Sequence, residues 1–143
     1  MEIRIIRNLK ELEGTCYFEF LSGPYKDKCW LPDSVYISED AFDLIEPIFN
    51  KRIKKFDHFA FNEATSEEIQ AVCKDLDTIF QQLNKCENIS QLENTIKVGE
   101  QATKELSEDF DQNLAIFKIM VKELTEWLKQ NAKEKGVISI LGM

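Results

Sequence analysis

The stretch EDFDQNLAIFKIMVKELTEWLKQNAKEKG, residues 108–136, constrains the fold more than any other part of the chain. Phe110, Leu114, Phe117, Val121, Leu124 and Leu128 recur at spacings of three, four and seven. That is the period of one helical face. Ile116, Ile119, Met120 and Trp127 widen the stripe beyond what one partner can cover. A helix with so broad an apolar band is touched on several sides, so it is expected at the centre of the molecule. Acids at its start and Lys129, Lys133 and Lys135 at its end suit the helix dipole, and Gly136 is placed to end it.

A second helix is as well specified. TSEE, residues 65–68, is a capping box: the Thr65 hydroxyl can accept from the Glu68 amide while the Glu68 carboxylate reaches back. Behind it Ile69, Val72, Cys73, Leu76, Ile79, Phe80 and Leu83 share one face. Upstream, Ser38 is an N-cap candidate for a helix carrying Phe42, Ile45, Phe49 and Ile53, with Pro47 expected to kink or interrupt it. Between residues 88 and 106 a weakly apolar segment reads as a surface helix capped by Ser90.

The ends read differently. EIRII (2–6) and TCYFEFL (15–21) alternate with period two, which predicts strands, with NLKELEG closing a hairpin between them. CWLPDSVYI (29–37) is expected to be extended, because Pro32 disfavours helix before it. The terminal VISILGM is expected as a buried strand beside the N-terminal ones. The fold class is α+β and mostly helical. Three to five helices pack around residues 110–128, with a small sheet, in one domain over residues 1–143.

At 143 residues roughly 70% of the unfolded surface can be buried, so the core needs no disulfide. Cys16, Cys29, Cys73 and Cys86 have no C-x-x-C spacing and are read as small buried hydrophobes. No apolar run is long enough for a membrane span, and charges interrupt the first apolar stretch, so a cytoplasmic protein is expected.

Catalytic signatures are absent. There is no phosphate-cradling glycine loop, no G-x-S-x-G, and EDFD lacks the glycine and remaining ligands of a calcium loop. The acids of SED, EE and SEDFD lie at helix starts, where the dipole explains them. The single histidine, His58, lies among Phe56, Phe59 and Phe61. Asp57 beside it is poorly placed to orient it, since sequence neighbours diverge on strand and helix alike. His58 therefore reads as part of a semi-buried aromatic wall, and a His58–cysteine hydrolase has no supporting spacing. No catalytic residue, metal site or cofactor is expected.

Charge points to a partner instead. The formal charge is −8, and residues 63–111 alone hold twelve acids against four basic residues. Such a chain repels nucleic acid and attracts basic proteins. The expected contact surface is Glu63, Glu67, Glu68, Asp75 and Asp77 on the helix behind the capping box, joined by Glu108, Asp109 and Asp111. The alternative is a helical adaptor or regulatory subunit, or a homodimer, docking through Trp30, Phe56, Phe59 and Phe61.

In this overall plan — small, acidic, single-domain, without catalytic motifs — the chain resembles the immunity proteins of bacterial contact-dependent and polymorphic toxin systems. The resemblance rests on the general design of the whole chain and carries over no individual residue. It implies a non-enzymatic cytoplasmic protein that binds and blocks a cognate nuclease-type toxin, with no membrane or direct nucleic-acid partner.

Overall fold

The computed structural model describes residues 1–142. Six α-helices lie among them: α1 (Glu39–Asp43), α2 (Glu46–Arg52), α3 (Ser66–Leu83), α4 (Ile89–Thr95), α5 (Glu100–Ser107) and α6 (Phe110–Lys135). Four strands, β1 (Tyr17–Ser22), β2 (Val35–Ser38), β3 (Phe61–Thr65) and β4 (Val137–Leu141), form one antiparallel sheet in the order β2-β1-β4-β3. The protein is α+β with helix predominant.

The expected central helix is α6. Leu114, Phe117, Met120, Val121, Leu124 and Leu128 are buried on it, and it packs along α3. It ends where Gly136 adopts φ 77°, a left-handed conformation that costs glycine nothing. The chain then turns straight into β4, which takes the middle of the sheet: Ile140 faces Phe20 on β1 and Asn62 on β3. The C-terminal strand therefore joins the two halves of the sheet. Phe18, Phe20, Val35, Ile37, Ala64, Ile138 and Ile140 turn one sheet face to the helices.

The α3 capping box forms with both of its bonds: Glu68 N to Thr65 Oγ1 at 3.1 Å and Thr65 N to Glu68 Oε1 at 3.0 Å. Ser38 caps α1 through the Ala41 amide, and the helix breaks at Leu44–Ile45, leaving Pro47 in the first turn of α2. There a proline loses no hydrogen bond. The segment 88–107 is two helices rather than one, and the cap of the first is Asn88, not Ser90. The asparagine carbonyl accepts from Gln91 N at 3.0 Å.

Three further expectations fail. Residues 2–6 are no strand: Ile3, Ile5 and Ile6 are all buried, and pairing is limited to one bridge, Ile6 to Tyr36. NLKELEG forms a short 3-10 turn, Leu9–Glu11, instead of a hairpin. Of the cysteines only Cys73 is buried, its thiol pushed up to about 11 by burial, while Cys16 is exposed. The outer face of the sheet is covered by loops instead. Glu19 on β1, 3% exposed, accepts from Trp30 N, Leu31 N, Ser34 Oγ and Tyr36 Oη and so pins the 24–34 loop.

Candidate functional site

The segment 54–60 is held from three sides. The Asn62 side chain, buried on β3, accepts from Asp57 N and donates toward Asp57 O, Ala60 O and Ile140 O. Asp57 turns its carboxylate to Phe59 N at 2.9 Å, so it closes the local turn and leaves the histidine alone. Gly142 N donates to Ala60 O at 2.9 Å, which ties the end of the sheet to the same turn. The result is a fixed His58, its ring edge-on to Phe18 at 4.9 Å and its side chain 20% exposed.

Both ring nitrogens of His58 meet carboxylates. Nε2 is 2.8 Å from Glu39, the first residue of α1, and Nδ1 is 2.6 Å from Glu46, the first residue of α2. In the sequence alone no acid is placed to orient His58, which reads as wall. The acids come instead from 19 and 12 residues upstream, brought in by the break between α1 and α2. A carboxylate on each nitrogen favours the doubly protonated ring, in which both nitrogens donate. Burial works against the charged ring, but the bonds and charges of Glu39 and Glu46 outweigh it, so the His58 pKa is raised. Asp43 lies alongside. Burial, then the charges of Glu46 and Glu39, raise its pKa. Asp43, Glu46 and His58 each bring a ligand-type atom within 4.8 Å of the other two.

Asp43 and Glu46 face a groove of about 530 Å³ between α1–α2 and α5, lined also by Asp40, Glu100 and Glu105, with Lys97 the one basic side chain and the Met1 amino group 3.5 Å from Glu105. Past Gln101 and Glu105 it continues into a second depression that reaches Glu108 and Asp109. Beyond these lie Asp111 and Glu87. Glu108, Asp109 and Asp111 are exposed and therefore belong to this acidic track.

The acids of the α3 side are occupied differently. Asp75 receives Arg52 at 2.7 and 3.1 Å, and Asp77 receives Lys129 at 2.9 Å. Glu68 holds the capping box and accepts from Lys54 N at 2.6 Å. Glu63 accepts from Tyr25 N at 2.9 Å, and Glu67 is exposed. Three of the five acids thus serve internal bonds to cations or to the cap.

The aromatic residues also separate. Phe56 is half-buried between Phe42 and Phe49 and belongs to the core. Trp30 is 39% exposed, stacked on Tyr36, with its backbone at φ 61°. Phe61 is 48% exposed against Tyr25. Phe59 is 75% exposed, and its ring touches His58 at 4.8 Å, at the edge of the acidic cluster.

The Glu39–Asp43–Glu46 grouping is not evident from the sequence. Its one visible signal was the spacing of four and three, which gathers acids on a helical face. Among the described residues no helix is long and apolar enough to cross a membrane. No protein-family model, no curated protein and no solved structure matches the chain.

Proposed function

We propose that this chain is a non-enzymatic, cytoplasmic binding protein that neutralises a basic protein partner, in the manner of an immunity protein blocking a nuclease-type toxin. The supporting observation is the acidic groove over α1, α2 and α5, together with the exposed Phe59 ring on His58, which is bound to the groove acid Glu46. Its acids Asp40, Asp43 and Glu100 have no ion-pair partner among the described residues, whereas Asp75 and Asp77 on α3 do. Free carboxylates speed encounter with a basic surface, and an exposed aromatic supplies the anchor that charge alone lacks. The contact surface is therefore placed on the groove and on Glu108, Asp109 and Asp111, more than on the α3 face.

The test is capture of the tagged protein from its source cells, then association kinetics with the purified partner. Asp40→Lys with Glu100→Lys should slow association about tenfold at low salt and flatten its salt dependence, while Glu67→Lys on α3 has little effect. A partner that is not basic, or an association rate unmoved by the groove reversals, refutes the reading. A docking module of the adaptor kind is favoured by one observation, the exposure of both Phe59 and Phe61. It predicts binding that is insensitive to salt and lost in Phe59→Ala.

A further inference from the structure

We propose that Asp43, Glu46 and His58 form a binding site for one divalent transition-metal ion of the zinc class. The ligands are Nδ1 of His58 and one carboxylate oxygen each from Asp43 and Glu46. One ligand atom from each of the three residues lies within 4.8 Å of the other two, and Nδ1 already meets Glu46. Zinc bonds of about 2.1 Å at tetrahedral angles need donors about 3.4 Å apart. Glu46 and Nδ1 stand at 2.6 Å and must open slightly, and Asp43 must swing in. Asp43 is exposed at the groove wall, so a side-chain rotation suffices.

Glu39 completes the arrangement from outside. It does not belong to the three-donor set, and its carboxylate takes Nε2–H of His58 at 2.8 Å. A carboxylate behind a histidine fixes the ring and its tautomer and raises the basicity of the nitrogen facing the metal. Here it leaves Nδ1, on the side of Glu46, as the ligating atom. The Nδ1 proton now shared with Glu46 is what the cation replaces. The charge balance points the same way. Glu39, Asp43 and Glu46 gather three carboxylates round one histidine. That is an excess of negative charge at one place. A dication removes it. One imidazole and two carboxylates are a donor set that zinc, iron and manganese accept. The groove provides an entry path and room for water in the remaining coordination position.

The probe is Zn²⁺, titrated calorimetrically into chelator-treated, full-length protein. One ion per chain is expected, weakened at least tenfold in Asp43→Asn and in His58→Gln. Glu39→Gln, which leaves all three ligands in place, should weaken it about tenfold to a hundredfold. Asp43 is exposed, so its variant keeps the fold, and circular dichroism checks this for each protein. Absence of saturable binding overturns the proposal. So does binding that persists unchanged in Asp43→Asn or His58→Gln, because the ion would then sit on the accessible thiols of Cys16, Cys29 or Cys86.

Discussion

Glu19 is the residue whose replacement should tell most about how the loop-covered side of the sheet is held. Its Oε1 accepts from Trp30 N at 2.7 Å, and its Oε2 accepts from Leu31 N at 3.0 Å and Ser34 Oγ at 2.6 Å. Glu19→Gln keeps the shape but has one oxygen for donors that approach two. If the amide nitrogen takes the Oε1 position, the Trp30 amide is orphaned, which costs about 1–3 kcal/mol. The bonds that remain lose the carboxylate's charge, and neutral hydrogen bonds are roughly half as strong as charge-assisted ones. The two effects together come to about 2–4 kcal/mol. At this chain length that lowers Tm by roughly 6–12 °C. Trp30 adds strain to the same loop, since a left-handed non-glycine residue costs about 1–2 kcal/mol. Urea denaturation followed by circular dichroism measures the loss, and hydrogen exchange at the Trp30 and Leu31 amides localises it. Glu19→Ala should leave both amides unprotected, and Trp30→Gly should recover part of the stability in the Glu19→Gln background. A stability change below about 0.5 kcal/mol with both amides still protected refutes the reasoning, for the carboxylate would then do no more than water does.

Three other predictions concern the frame of the site. The His58 pKa is raised on folding, so in the metal-free protein its clamp stabilises below the unfolded value near 6.5 and is lost as pH rises through the folded value. The penalty of His58→Gln should therefore be largest near pH 6 and shrink toward pH 9 in chelator-containing buffer, and a penalty independent of pH counts against the imidazolium. Gly142→Ala places a methyl against the His58 carbonyl oxygen and 2.9 Å from that of Ala60, so the 54–60 turn must move and the His58 ring resonances should shift in NMR spectra. Thr65→Ala removes the cap acceptor for Glu68 N and should cost about 1 kcal/mol in thermal denaturation.

How much could be read in advance follows the range of the interactions. The α3 cap, the α6 stripe, Gly136 as a stop and the break at Pro47 are local events, set by residues within a turn or two of each other. β3 escaped because its pattern is inverted: Phe61 faces out while Asn62 and Ala64 face in. Its pairing comes from β4, far along the chain. Residues 2–6 misled for the opposite reason, since their alternation is a strand pattern but only Ile6 finds a backbone partner. Glu19 alternates correctly as an outward residue, and nothing local shows that a loop folds over it. His58 is the same case. Its two acids are distant in sequence, and only the turn between α1 and α2 puts Glu39 and Glu46 on opposite sides of one ring.

The two proposals meet at Asp43 and Glu46, which line both the groove and the metal cluster. A dication there cancels the excess charge at one end of the groove, so it weakens the pull on a basic partner seated over that end. Binding free energies are reciprocal, and a partner that loses affinity when zinc is bound must lower zinc affinity by the same factor. Association rate, measured with the groove intact and zinc either saturating or chelated, reads the coupling. Slower association with zinc places the partner over the α1–α2 end of the track. An unchanged rate places it beyond Glu105, on Glu108, Asp109 and Asp111, where the ion's charge is screened within about 10 Å at ordinary ionic strength. Asp43→Asn separates the two effects, since it removes the ion while leaving Asp40 and Glu100 to steer. Zinc dependence that survives in that variant contradicts the assigned cluster, whatever the partner proves to be.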